Sequence, residues 1–469
     1  MPLQKTLSIC LLLLATQGIF SQVLLSSHPL ELKKADNYHQ ALLAPDARFK
    51  QLVVCASDKN NLYFLHYNNV IYYTDSLMAN RPDKEYTYMA GYSFDDYKSG
   101  TVYWASNNLE KLEAVHYNFD NAEIKEYLFD QLFGKEEILS SFSANNNFYV
   151  ITQPEEDKSK KLKCYTFNNN RYESHTIDFS GITFKDEKNK PISLEDLLYS
   201  YPLAKIDNAI YNPLTDAVSK SKLYTEKDIW VLALDHNPLY TQLLFINPDN
   251  FTVTEKVIAQ PILKEEAGTN SYYLGNKLYQ VALNKEEVAL QAVDINTKQV
   301  LNAYHAGAED EITFKNSELL QQNPNGRPLE FKDTKRFLRK ARNGDAAISV
   351  YRTPDDILVT AGSVRSYIPA GDVVLGAGLL MGGIAPGDGF YAGEQETMYF
   401  DGLFGADDFK HKPYRPERLA ADHISKFMYR RNDITLPTVS PFDYYYILGY
   451  YDVVAKQYII RKFYDDLAY

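Results

Sequence analysis

The chain of 469 residues is poor in cysteine, with 3, and in tryptophan, with 2. Cys10 falls in the leading apolar run, which leaves Cys55 and Cys164. Two cysteines can form one bridge at most, so the chain is no small domain stapled by disulfides. The 9 histidines are scattered, none four residues from another, and no Cys/His cluster has zinc-ligand spacing. The G-x-S-x-G elbow, H-E-x-x-H and the EF-hand loop are all missing. No metal or cofactor is therefore expected, and catalytic residues, if there are any, stay unknown. Basic character is also lacking. The formal net charge is −12, which argues against a nucleic-acid partner.

Long apolar runs are confined to the first residues and to a glycine-rich stretch from Val373. The start reads "MPLQKTLSICLLLLATQGIFSQ". Lys5 precedes an apolar run from Leu7 to Ala15, and small or polar residues follow, which is the three-part pattern of a secretory signal. The run is well short of the roughly 20 apolar residues of a membrane-spanning helix. Residues 1–21 are expected to be removed near Ser21–Gln22, leaving an exported protein, periplasmic or extracellular, with no membrane span. Cys10 lies inside the run and not after it, so no lipid anchor is expected. The style of the leader looks bacterial.

Tyrosine is abundant, with 38 residues. It favours strands, and its ring packs while its hydroxyl finds water or a backbone partner. A β-rich core with wet edges is the plain reading, and sugar stacking is the sharper one.

Short aromatic-rich strand candidates recur: "NLYFLHY" from Asn61, "TVYWAS" from Thr101, "NFYVIT" from Asn147, "DIWVLAL" from Asp228, "KLYQVAL" from Lys277, "AISVYR" from Ala347 and "YYYILGYY" from Tyr444. The first six starts are 40, 46, 81, 49 and 70 residues apart. Four hairpins accompany them: "EAVHYNFDNAEIKEYLF" from Glu113, "KCYTFNNNRYESHTIDF" from Lys163, "QLLFINPDNFTVTEKVI" from Gln242 and "LQAVDINTKQVLNAYHA" from Leu290. In each, an alternating strand runs into Asn/Asp-rich residues and out into another, because Asn and Asp accept left-handed angles and bond their own turn. The shorter spacings match one four-stranded blade, and the longer ones a blade carrying an insertion.

The hairpin "AVDINTKQVLNAY" resembles those of quinoprotein-like and surface-layer-type β-propeller blades. The resemblance covers roughly Asn60 to Ala306 and names no single family, since the Trp-Asp and paired-glycine signatures of other propellers are missing. It implies an all-β protein, a β-propeller of six or seven four-stranded blades. The expected layout is a lead-in at 22–59 and a propeller over 60–469, with helical or loop insertions near 180–225, 307–345 and 361–441. An outer-membrane barrel is disfavoured by lysine and glutamate in mid-strand, and stacked β-sandwiches by the spacing.

Helices are expected after Ser193, which with Asp196 fits a capping box, and between Asp333 and Gly344, the one basic element. Another is expected over Glu417 to Tyr429. Within the longest insertion, His411, Tyr414, Arg415 and His423 are the candidate binding residues, of types suited to a polysaccharide lyase. The stretch "VVLGAGLLMGGIAPGDGFYAG" from Val373 lacks the following helix of a phosphate loop. It reads as a strand, "DVVLGAGLLMGG", and a turn in which Asp388 is the residue to test. The functional expectation is an exported binding or scaffold module for a protein or a polysaccharide of the cell surface. The alternative is a glycan-active lyase or hydrolase, which would gather His, Tyr, Arg and Asp at the axial mouth.

Overall fold

The computed structural model describes residues 22–33, 36–154, 160–323, 327–367 and 394–466. Strands fall into seven separate sheets, each of four or five strands. Blade 1 comprises Gln40–Pro45, Leu52–Ser57, Asn61–Tyr67 and Tyr73–Asn80; blade 2, Tyr88–Asp96, Ser99–Ala105, Lys111–Asn118 and Glu123–Asp130; blade 3, Glu137–Ala144, Asn147–Gln153, Lys161–Asn168 and Arg171–Asp178. Blade 4 has Leu203–Ile206, Ser221–Thr225, Trp230–Leu234, Tyr240–Ile246 and Val253–Ala259, and blade 5 Gly268–Leu274, Lys277–Leu283, Glu287–Asp294 and Val300–Gly307. Blade 6 runs Asp345–Arg352, Asp356–Tyr367, Glu394–Gly405, Leu320–Gln322 and Leu329–Glu330 across the sheet. Blade 7 runs Ile434–Phe442, Tyr445–Asp452, Gln457–Phe463 and, last, Gln22–Pro29. This is a seven-bladed β-propeller. Each of the seven aromatic-rich stretches lies in a different blade, and the four Asn/Asp hairpins form the two outer strands of blades 2 to 5.

The burial pattern explains the strands. In Ser99–Ala105 and Trp230–Leu234 every residue is buried, because the sheet is covered on both faces by its neighbours. The outer strand Tyr73–Asn80 alternates half-buried and exposed residues. Aromatic rings fill the seams. Tyr103 stacks on Phe148 between blades 2 and 3, with ring centroids 4.8 Å apart. Tyr149 meets Trp230 edge-on at 4.9 Å between blades 3 and 4, and Tyr224 meets Tyr273 at 5.5 Å between blades 4 and 5. Such pairs contribute about 0.5–1.5 kcal/mol each beyond the area they bury. The tyrosines are thus largely seam material. Cys55 and Cys164 are free, buried thiols in blades 1 and 3.

The stretch expected as a lead-in, 22–59, is placed inside the propeller. Gln22–Pro29 pairs antiparallel with Gln457–Phe463, from Gln22 opposite Phe463 to Pro29 opposite Gln457, and Gln40–Ser57 carries the first two strands of blade 1. The first and last parts of the chain therefore share one sheet and close the ring. Leu43, Leu52 and Ile447 with Tyr458 pack the seam between blades 7 and 1.

The three expected insertions also hold blade strands. In the first, the helix Leu194–Ser200 is capped by Ser193, whose hydroxyl accepts the Asp196 N–H at 3.0 Å. Residues 207–220 then cross between two parallel strands of blade 4. This crossover lies in the axial channel. Tyr446 of blade 7 donates to the carbonyl of Ala209 at 2.8 Å, and Ser349 of blade 6 donates to that of Asn212 at 2.5 Å. The Asn212 amide donates to the Tyr272 hydroxyl of blade 5 at 2.9 Å. The second insertion supplies the short outer strands of blade 6 and the helix Thr334–Ala341, capped by Asp333. Its basic side chains meet acids: Lys340 lies 3.0 Å from Glu396, and Lys335 pairs with Glu309. In the third, 356–367 and 394–405 are blade 6 strands paired along their whole length, and among the described residues only 406–433 lies outside the blades. The helix Ala420–Tyr429 packs through Ala420 and Ile424 on Leu448, Tyr450 and Phe463 of blade 7. The glycine-rich stretch, with its expected strand and Asp388, falls at 368–393 and lies outside the described residues, as does the leader. Among the described residues no helix is long and apolar enough to cross a membrane.

Ring closure carries a prediction. A chain lacking residues 22–29 leaves the edge of Gln457–Phe463 unpaired. Its melting temperature should fall by about 5–10 °C, and it should self-associate as concentration rises. Melting and size-exclusion curves equal to those of the whole chain would show that the pairing does not close the ring.

Candidate functional site

The strap 406–433 separates the residues expected to form a site. The backbone N–H of His411 donates to the Tyr304 hydroxyl at 2.7 Å, and its Nε2 lies 3.0 Å from Asn316 Oδ1. Burial lowers the pKa of its imidazole. Tyr414 donates its hydroxyl to Asp356 at the start of a blade 6 strand, and that bond, followed by burial, pushes the phenol up to about 12. His423 Nε2 is 2.7 Å from Asp466 Oδ1, beyond the last strand. Arg415 is exposed. Asn316 ties His411 to the Tyr414 backbone, since its amide donates to the Tyr414 carbonyl at 2.8 Å, while His423 is held by Asp466.

Polar side chains do converge at one axial mouth, where the turns between first and second strands of blades 7, 1 and 3 meet Tyr92 of blade 2. A cavity of about 200 Å³ opens there, lined by Asp46, Lys50, Tyr92, Asn145, Asn146 and Asp443, with Phe442 and Pro441 among its apolar neighbours. Turn chemistry builds it. Asn145 and Asn146 have φ of 48° and 65°, the two left-handed residues of a tight hairpin turn. Lys50 and Asp443 are left-handed as well, both with φ of 56°. The same conformation recurs in turns elsewhere in the chain, so it explains the shape of the rim and does not mark a site.

Asp46 ties the rim together. Its Oδ1 accepts the N–H groups of Arg48 and Phe49, at 2.8 and 3.1 Å, and the Asn146 amide at 2.7 Å. Its Oδ2 accepts from Gln51 at 2.7 Å. Asn146 returns a bond, accepting the Ala47 N–H at 2.9 Å, and its carbonyl accepts from Phe94 of blade 2 at 3.0 Å. Three blades are thus clamped with Asp46 nearly solvent-free, at 1% exposure. Lys50, Asn145 and Asp443 are exposed at the rim and available to a ligand. On the floor, burial raises the Tyr92 hydroxyl, with the carboxylates of Asp207 and Asp46 adding to it. Asp207 opens the crossover, so the plug backs the cavity.

Two further polar clusters are built into the frame. Lys222 and Asp235 form a solvent-free pair at 3.0 Å between blades 4 and 5. Burial opposes both charges, yet the two lysines and the hydroxyl donors around Asp235 outweigh it and hold that carboxyl low. Asn270 and the Ser219 carbonyl take the other lysine donors at 2.7 and 2.6 Å, and Thr241, Gln260 and Ser271 bond the carboxylate. Such a pair specifies the seam, and a ligand has nothing left to bind there. Asp401 of blade 6 is the second. Burial pushes its carboxyl up to about 6, Asp422 of the strap helix adds to that, and the Thr360 hydroxyl at 2.7 Å opposes it. Among the described residues no group of three or more His, Cys, Asp or Glu is placed to hold a metal ion.

The mouth was available to sequence reading through its turns, "APDARFKQ", "SANNNFY" and "SPFDYYY", each placed just before a second strand. Asp401 gives a pH prediction. Its folded pKa of about 6 lies above that of a free aspartate, about 3.9. Its contribution is therefore fully present below the unfolded value and is lost as pH rises through about 6. Asp401→Asn should be more stable than the parent by roughly 2–3 kcal/mol at pH 7 and equal to it near pH 3.5. Urea titrations across that range check this, and a difference independent of pH would contradict it.

No protein-family model matches the sequence, and a comparison with curated proteins finds no significant match. Among solved structures, the chain is similar to the WD40 domain of SCAP from fission yeast, with 8% identity over 94% of this chain and 87% of that one, at a TM-score of 0.31. A structure described under two prolyl endopeptidases matches with 9% identity over 91% of this chain and 50% of that one, at 0.32. Kluyveromyces lactis Hsv2 matches with 9% identity over 71% of this chain and 95% of that one, at 0.29. Likenesses this remote bear on no activity, and the propeller assignment stands on the strand pairing itself.

Proposed function

We propose that this chain is an exported binding propeller that holds a cell-surface polymer at the axial mouth formed by blades 7, 1, 2 and 3. One observation carries the reading: Lys50, Asn145 and Asp443 present an ammonium, an amide and a carboxylate around one cavity, the first two on turns that Asp46 clamps together. Side chains on fixed turns lose little freedom on binding, so they suit recognition of a polar chain. The secretory pattern of the first residues supports export. The residues named for the lyase or hydrolase alternative are held by partners of their own, His411 by Asn316, Tyr414 by Asp356 and His423 by Asp466, and none of them lines the cavity at the mouth. At the mouth, the most buried acid, Asp46, already accepts four hydrogen bonds.

The test is titration calorimetry with a panel of neutral and acidic polysaccharides, on the parent and on the double variant Lys50→Ala, Asp443→Ala. Both side chains are exposed, so the variant should fold. The expected result is at least a tenfold loss of affinity, about 1.4 kcal/mol, for the polymer that binds the parent. Equal affinities would remove the mouth as the site.

A further inference from the structure

Beside the mouth, Tyr444 and Tyr445 at the same blade 7 turn and Tyr464 just after the last strand enclose Lys462. The Lys462 ammonium lies 4.1 Å from the ring centroid of Tyr445, 4.5 Å from Tyr464 and 5.4 Å from Tyr444. Tyr444 and Tyr464 are stacked at 6.1 Å with planes 26° apart, and Tyr445 meets Tyr444 nearly edge-on at 5.5 Å. Tyr444 is nonetheless 70% exposed. A large ring left in water, yet held in place by a stacked partner and a cation, is a surface prepared in advance. Burial lowers the pKa of Lys462, and the carboxylate of Asp443 opposes this, so the ammonium couples the rings to the pocket rim. Tyr444 directly follows Asp443, which lines the cavity, so the rings stand next in the chain to its rim.

Resting on the pocket reading above, we propose that the ligand is a neutral oligosaccharide chain, with one sugar in the cavity and the next units stacked along Tyr444 and Tyr464. A pyranose ring has an apolar C–H face and an edge of hydroxyls. The tyrosine faces match the first. Lys50, Asn145 and Asp443 match the second, offering donors and acceptors about a space of roughly one sugar ring. Cavity and rings together carry two ammonium groups, Lys50 and Lys462, and two carboxylates, Asp46 and Asp443, a balance suited to an uncharged chain and not to a uronic acid or polyamine. A proline-rich peptide would also use aromatic rings, but it lacks the hydroxyl edge that this cavity addresses.

The test compares disaccharides with hexasaccharides of the cello-, malto-, laminari- and chito-series by titration calorimetry, with a proline-rich peptide alongside. In the parent, one series should bind at least tenfold more tightly as the hexasaccharide. Tyr444→Ala should abolish the tenfold gain of the hexasaccharide and weaken the disaccharide, whose second unit also meets Tyr444, by less, while Tyr444→Phe keeps the gain. Should Tyr444→Ala leave that gain intact while Lys50→Ala with Asp443→Ala weakens both lengths, the tyrosine shelf is wrong and the pocket stands. Should the double variant change neither length, the pocket reading is wrong as well. Binding by the peptide alone, or by no saccharide at millimolar concentration, overturns the proposal.

Discussion

Everything else in this molecule depends on the pairing of Gln22–Pro29 with Gln457–Phe463. Seven sheets that bury both faces on their neighbours form a stable object only when the last meets the first. A ring with a free edge would leave apolar surface at one seam and unpaired backbone along one strand. Placing the start of the chain in the blade that holds its end satisfies both demands. The seam of blades 7 and 1 can then pack Leu43, Leu52 and Ile447 as tightly as the others.

A closed ring also fixes the two things that matter for binding. It brings turns distant in sequence, at Asp46, Asn146 and Asp443, to one axial mouth. It also leaves an axial channel, which the crossover after Ile206 occupies by bonding to inner residues of blades 5, 6 and 7. The mouth is therefore a pocket with a floor at Tyr92 and not the opening of a pore. The strap 406–433 ties blades 5, 6 and 7 through His411, Tyr414 and His423, and its Leu419 packs beside Tyr211 of the crossover.

The blade count was legible because each blade carries one short aromatic strand and most carry an Asn/Asp hairpin, both local signals. The closure strand was not, since its partner lies at the other end of the chain and "QVLLSSHP" alternates only weakly between half-buried and exposed positions. Blade 6 showed only its inner strand, "AISVYR", because its outer strands are three and two residues long and precede that strand. At the site, residue type alone did not disclose the partners. His411, Tyr414 and His423 look catalytic by type, but their partners Asn316, Asp356 and Asp466 come from elsewhere in the fold. The residues that do converge are turn formers, whose presence a hairpin already explains, so nothing local set them apart.

The central claim is that the mouth, and not the strap, meets the ligand. Hydrogen exchange read by mass spectrometry, with and without the polymer that binds the protein, tests it most directly. The account predicts slowed exchange at 45–50, 145–147 and 441–446, with 406–433 unchanged. Protection confined to 406–433, with the three turns unaffected, would contradict it.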